Sequence, residues 1–391
     1  MGKAILVLKG RSLYNVLRLA ADIMIDAFKN MGYQVAVLDL LDQEDCDRFE
    51  EALKEEYDLL FSFQALLFNE TVNESQDAFW GQYKNMFTFG HIVDHPLYHY
   101  SRLETNHGDN MYVGCIDRNH VEYINTFCKS VKNAIYFPHA GFKAKNIISY
   151  EKRTLDLFFP CSYTSPGDIW NEIKGLEKVY QGIAEKLIQQ MLSTPMLTLQ
   201  DALVRYFQSV NFTYTEEEFH MLIGIFDVVD KYIRAYTRDR LIRAVLDGGI
   251  NLTVCGRGWN EFELLHHSNL NFVGESGMDF LETIEMMANS KFVLNHVPTL
   301  QCGMHERIFT SMRCGAVCIT NDFPIVHEEF TDGENILLYS QEDLDSFVGR
   351  VKFLLNHPGK SKSIAEKGNA IAEASHKWED NGVKILDLLG L

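Results

Sequence analysis

Residues 303–322 read GMHERIFTSMRCGAVCITND. This stretch contains a complete helix–turn–strand junction. After the loop 298–302 a helix opens near Met304, with His305, Glu306 and Arg307 in its first turn. Gly315 stops it, and the apolar run 316–320 follows at once as a strand. The start of a helix offers unpaired backbone N–H groups and a partial positive charge. An arginine in that turn adds a forked cationic donor, and the two together suit a diphosphate. An ordinary helix with a charged first turn is the plain alternative.

The pattern on both sides repeats the alternation. Upstream, the runs 4–8, 34–40, 57–63, 86–89, 111–115 and 134–137 read as buried parallel strands, separated by helical periodicity at 13–28 and 118–129. Leu13, Val16, Leu17, Ala20, Ile23, Met24, Ala27 and Phe28 mark one helix face, and Gly32 ends that helix. A second series opens at 155–160 and resumes at 252–255, 271–273, 292–294, 316–319 and 336–339. Two series of alternating strand and helix predict an α/β chain with two doubly wound parallel sheets. Residues 166–247 carry no strand signal. They read as helices at 167–192, 197–208 and 215–247, more than one crossover needs. The segment 167–247 is therefore expected to be a helical insertion. The closing helices fall at 343–355 and 362–374, and residues 376–389 again follow helical spacing.

Bulk composition narrows the classes. The chain has 391 residues, enough for two domains, and 46% hydrophobic content supports two cores. A net charge of −18 disfavours nucleic acid and anionic membranes as partners. No run approaches the roughly 20 apolar residues of a spanning helix, so no transmembrane segment is expected. The run 4–8 is a first strand rather than a leader. The eight cysteines include no Cys-x-x-Cys pair, a usage that fits a reduced, cytoplasmic location. Cys302, Cys314 and Cys318 read as small apolar packing rather than metal ligands.

The second half resembles the glycosyltransferases with two facing Rossmann-like domains, the GT-B fold, and within them the CgeB-like family. The residues that carry this are Arg307, Cys314–Gly315, the strand 316–320, Asp322, then Asp332–Gly333–Glu334 and the strand 336–339. The likeness covers about residues 251–391. In the first half only Asp94-His95-Pro96 and Phe137-Pro138-His139 resemble the family. The resemblance implies an N-terminal acceptor-side domain at 1–150 and a nucleotide-sugar-binding domain at 151–375. It also implies that a final helix at 376–391 returns to the first domain. It further implies a glycosyltransferase that uses a UDP- or GDP-sugar donor, without metal, on a hydroxyl-bearing glycan or protein acceptor. A non-catalytic nucleotide-sugar or glycan-binding scaffold of the same fold is the alternative. A sugar-nucleotide epimerase or phosphorylase is a further rival. A dinucleotide dehydrogenase is disfavoured, since KGRSLYN at 9–15 lacks Gly-x-Gly-x-x-Gly.

Parallel sheets bind ligands beyond the carboxyl ends of their strands, so the candidates sit there. On the donor side they are Arg307, His305, Glu306, Thr310, Gly256, Arg257, Ser162, Asn321, Asp322 and Glu334. Gly256 and Gly258 would let the backbone approach a ligand, or simply form a tight turn. The hydroxyls of Ser162, Tyr163 and Thr164 follow the strand 155–160, where relatives carry an arginine and a lysine that this chain lacks. They either contact phosphate or cap a helix. Related enzymes also use two glutamates eight apart. Cys302 and Thr310 hold those places here, so Glu306, one turn from Thr310, is expected to take the ribose contact. On the acceptor side His91, Asp94 and His95 are the candidate catalytic residues. His95 and His99 have a metal-ligand spacing without a third ligand. Lys9–Ser12 carries two cations but no phosphate-loop pattern. The insertion 167–247 is the expected site of acceptor or partner specificity, including contact with another copy.

Overall fold

The computed structural model describes residues 3–52, 55–70, 86–105, 108–194, 196–274 and 278–391. The chain divides into two compact units, one of residues 1–140 with 374–391, the other of residues 141–373.

In the first unit the strands are β1 (Ala4–Lys9), β2 (Gln34–Asp39), β3 (Leu59–Phe63), β4 (Phe87–Ile92), β5 (Met111–Cys115) and β6 (Asn133–Tyr136). All pair in parallel in the order β2-β1-β3-β4-β5-β6. Every residue of β3 is buried, which explains its unbroken apolar reading. The helices are α1 (Val16–Asn30), α2 (Gln43–Asp47), α3 (Phe49–Ala52), α4 (Tyr100–Leu103) and α5 (Arg118–Phe127). The acidic run 42–56 supplies α2 and α3, and its residues 53 and 54 lie outside the described residues.

The second unit holds β7 (Leu155–Pro160), β8 (Leu252–Cys255), β9 (Leu270–Val273), β10 (Ser290–Leu294), β11 (Val317–Asn321) and β12 (Leu337–Tyr339). Their order is β12-β11-β10-β7-β8-β9, again all parallel. This is the doubly wound arrangement in which winding reverses between the first and fourth strands, here β7 and β10. A crevice opens at such a reversal, outside the carboxyl ends of the strands.

Four helices link β7 to β8: α6 (Pro166–Lys174), α7 (Lys178–Ser193), α8 (Leu199–Ser209) and α9 (Glu216–Asp247). The single helix expected over 167–192 is two. Gly175 caps the end of α6, and α7 starts after Glu177. Thr215 and Glu218 form a capping box that starts the 32-residue α9. The far end of α9 buries Leu241, Ile242, Val245 and Leu246 in the core with β7, β8 and β10. Only this part of 167–247 is the crossover proper; α6, α7 and α8 are the extra material.

The remaining helices are α10 (Phe280–Ala288), α11 (Glu306–Arg313), α12 (Leu344–Leu355), α13 (Pro358–Ser375) and α14 (Trp378–Leu389). Within the first unit α14 lies on α1. Gly382 permits the approach, since a Cβ there would stand 3.1 Å from that of Ala27 and 3.4 Å from the Phe28 ring. Among the described residues no helix is long and apolar enough to cross a membrane.

Candidate donor-binding site

The junction at 303–322 forms as the sequence suggests, shifted by a residue or two. The helix α11 begins at Glu306, and His305 is its N-cap, with Nδ1 accepting from the Arg307 N–H at 3.1 Å. His305 therefore spends one ring nitrogen on the helix start. At the other end Gly315 adopts φ +71, and Arg153 donates to the Cys314 carbonyl at 2.9 Å. A buried cation at the carboxyl end complements the helix dipole.

The Arg307 side chain reaches back to the crevice. Its Nη1 donates to Asn295 Oδ1 at 3.1 Å, and Asn295 directly follows β10. Asn295 is oriented in turn by donating to Thr320 Oγ1 at 3.0 Å. Asn321, buried at the end of β11, accepts from the Val297 N–H at 3.2 Å. It shapes the loop between β10 and α11 rather than projecting from it.

A second arginine arrives that the sequence reading did not select. Arg238, on α9, donates through Nη1 to the Ser162 carbonyl at 2.7 Å, just beyond β7. Burial is the first cause that lowers its pKa, with Arg307 and Arg234 adding to the effect. Arg307 and Arg238 thus flank the reversal between β10 and β7. Among the described residues neither is in an ion pair. Both are partly buried, and the Glu306 carboxylate interacts electrostatically with Arg307. In a chain of net charge −18 two cations therefore stand close together at this crevice.

The face of α9 that carries Arg238 is fixed from behind. Thr237 donates its hydroxyl proton to the Ile233 carbonyl at 2.6 Å, so at 2.9 Å its oxygen accepts from His296 Nε2. His296 Nδ1 then accepts from the Tyr339 hydroxyl at 2.6 Å. Burial first, then Arg238 and Arg307, drive the His296 pKa far down, and the ring acts as a neutral strut between α9, β10 and β12.

Several expected contacts are placed otherwise. Thr310 is fully buried and bonds to the Glu306 carboxylate and to the Phe142 N–H, the latter at 3.0 Å. Glu306 is itself buried, and that burial raises its pKa. The two hold α11 to the chain at 142, so the expected ribose contact by Glu306 is corrected to a packing role. Gly256 and Gly258 also face protein. With φ +127 and +82, a Cβ on either would stand 2.6 and 2.2 Å from the carbonyl oxygens of Cys161 and Tyr163. The backbone they approach is the chain after β7, not a ligand. Arg257 is exposed on that turn, and its carbonyl accepts from Tyr163 N–H at 2.8 Å.

Ser162 contributes its carbonyl to Arg238, while the cap of α6 is Ser165. Asp322 is exposed and pairs with His327 at 2.7 Å. Glu334 does not join the group. It precedes β12, at that strand's starting end, in a surface groove with Arg350, Lys360 and Lys367.

In the first unit the three candidates separate. His91 is wholly buried, with ring centroids 5.3 Å from Phe63, 5.1 Å from Phe137 and 5.8 Å from Trp378. Burial lowers its pKa to about 3, so the expected catalytic role is corrected to a core one. His95 Nδ1 accepts from the Leu97 N–H at 3.1 Å, and its ring packs on His120 and Tyr123. Asp94 is exposed and accepts from Gln64 Nε2. Among the described residues no three His, Cys, Asp or Glu side chains group as a metal site.

The buried histidines make acid sensitivity an expected property. His139, 6.2 Å from His91, is also held to about 3, by burial first and His91 second. The folded state refuses protons that the unfolded chain accepts below about pH 6.5. The contribution of these two histidines to stability is therefore constant above that pH and falls between about 6.5 and 3. The loss is of order 2 kcal/mol per histidine at pH 5. Urea midpoints measured from pH 7.5 to 5 check this: the unmodified protein should lose more stability over that range than His91→Leu, and an equal change in both would contradict it.

Residues 235–387, which include Arg238 and Arg307, match the family model described as glycosyl transferase-like. No curated protein matches the chain. Solved structures do. Sucrose-phosphate synthase from Thermosynechococcus elongatus aligns with a TM-score of 0.54 at 10% identity, over 99% of this chain and 98% of that one. Anabaena Alr3699/HepE in complex with UDP and glucose aligns at 0.51 and 13%, over 99% of both chains. An alpha-glucosyltransferase in complex with UDP and a 13-mer DNA aligns at 0.54 and 10%, over the full length of each. At such identities the likeness speaks for the fold. The chain thus has the GT-B fold, and its residues 235–387 match a glycosyl transferase-like family model.

Proposed function

We propose that the protein transfers a sugar from a nucleotide-diphosphate donor, a UDP- or GDP-sugar, to a hydroxyl-bearing glycan or protein acceptor. The observation that carries this is the pair Arg238 and Arg307, partly buried together at the crevice beside the start of α11. When the bond from sugar to diphosphate breaks, negative charge grows on the leaving group. Two fixed guanidiniums and the helix start stabilise that charge more than the ground state, without a metal. The acceptor belongs to the first unit. Of its three candidates we assign Asp94 to the acceptor hydroxyl, because His91 is buried and His95 is used as a cap. The helices α6 to α8 are the segment we assign to acceptor or partner recognition.

A panel of UDP-, GDP-, dTDP- and CMP-sugars tests the reading by thermal shift and donor hydrolysis. At least one diphosphate donor should stabilise the protein, by about 2.7 kcal/mol at one hundred times its Kd, and be slowly hydrolysed. CMP-sugars, with a single phosphate, should not. No response to any diphosphate donor, or a response to CMP-sugars alone, would remove the proposal.

A further inference from the structure

One and two turns before Arg238, the same face of α9 carries Arg234 and Asp230, at the i, i+4, i+8 spacing that aligns side chains along a helix. The direction of this stripe matters. After α9 the chain enters β8 at its starting end, so α9 descends alongside strands that rise. Arg238 stands level with the strand tops, where it meets the Ser162 carbonyl. Asp230 is eight residues back along the helix, and therefore about 12 Å farther out, beyond the sheet.

The surroundings of Asp230 are those of an incompletely used carboxylate. Arg234 Nε lies 3.6 Å from its Oδ2, an ion pair too long for a hydrogen bond, and among the described residues that Nε has no hydrogen-bond partner. The Thr299 hydroxyl donates to the Asp230 carboxylate, and Thr299 belongs to the loop joining β10 to α11. Asp230 is 22% exposed at the side chain and Arg234 37%. Burial, its largest influence, holds the carboxyl above its usual range, at about 6, while Arg234 and Thr299 oppose the rise. A carboxylate, a hydroxyl and a guanidinium set together beyond a diphosphate seat form a hydrogen-bonding set for a polyol, since vicinal hydroxyls donate to carboxylates and accept from guanidinium.

We infer that Asp230, with Thr299 and Arg234, binds hydroxyl groups of the donor sugar and decides which sugar the site accepts. The inference rests on the donor-binding reading above. The diphosphate lies between Arg238 and Arg307, and the sugar projects outward along α9. Asp230 is then a specificity-determining residue on the helical segment that precedes β8. A site that hydrogen-bonds a hydroxyl rejects analogues lacking it far better than an apolar pocket does.

Calorimetry on the full chain tests this with UDP and GDP, each alone and as its hexose conjugates. The comparison uses the hexose that the unmodified protein binds most tightly. In Asp230→Asn the Kd of the bare nucleotide should stay within about twofold, while that of the nucleotide sugar should rise about tenfold or more. Discrimination between epimeric hexoses should narrow with it. Thr299→Val should act in the same direction by about threefold, and it serves if the first variant folds poorly. Equal weakening of nucleotide and nucleotide sugar would show a purely structural Asp230 and overturn the inference, as would no change in either. If the unmodified protein binds neither nucleotide, the donor-binding reading itself fails, an outcome distinct from both.

Discussion

Replacing Arg307 with alanine should lower kcat/KM for the nucleotide-sugar donor by about 10²–10³-fold while the protein stays folded. The expectation follows from where the side chain ends. Its guanidinium is aimed at Asn295, at the mouth of the crevice between β10 and β7, and among the described residues it donates no other hydrogen bond. Losing it costs about 1 kcal/mol of stability. Losing a fixed cation beside a leaving diphosphate costs about 3–4 kcal/mol of transition-state stabilisation, as for other preorganised donors. Steady-state kinetics should show kcat falling together with kcat/KM, the mark of an interaction strengthened at bond cleavage. Turnover within a few-fold of the unmodified enzyme would place the diphosphate elsewhere. The same result with a large fall in melting temperature would instead assign Arg307 to the fold.

Replacing Arg238 with methionine should weaken UDP or GDP binding by about 10–100-fold and leave the unliganded protein as stable as before, or more so. Arg238 is partly buried near two like charges, Arg234 and Arg307, and the nearness of both lowers its pKa further. Methionine keeps much of the volume and removes the charge. The lost bond to the Ser162 carbonyl costs about 1–3 kcal/mol, and relief of the repulsion from Arg307 and Arg234 offsets it. Binding sites commonly trade stability for function in this way. Calorimetry with UDP, UMP and uridine separates the cases. The loss should be largest for UDP, smaller for UMP and negligible for uridine. A methionine variant that melts far lower yet binds UDP unchanged would make Arg238 a structural strut.

How much of this was legible in the chain depends on the range of the forces involved. Each strand of both sheets was readable because parallel strands, buried on both faces, need unbroken apolar runs. The start and stop of α11 were readable because caps and left-handed glycines act on neighbours a few residues away. The break in α6–α7 was missed, since Leu176 and Val179 continue an apolar pattern across a real turn. Glu306 and Thr310 stood one turn apart, as expected, but the pairing turned inward because the chain at 142 offered a backbone donor.

His91 and Arg238 were beyond reach for the same reason. An imidazole after an apolar strand reads as a strand-end polar group. It became a core ring only because Phe63, Phe137 and Trp378, spread over more than three hundred residues, close around it. Arg238 lies 69 residues before Arg307, on a helix whose sequence marks many arginines and favours none. Local periodicity determined the elements, their order and the helix start at α11, because those depend on contacts within a turn or along a strand. Which charged side chains meet at the crevice, and which polar ones are sealed inside, was decided by tertiary packing, because burial and like-charge proximity exist only once distant segments are brought together.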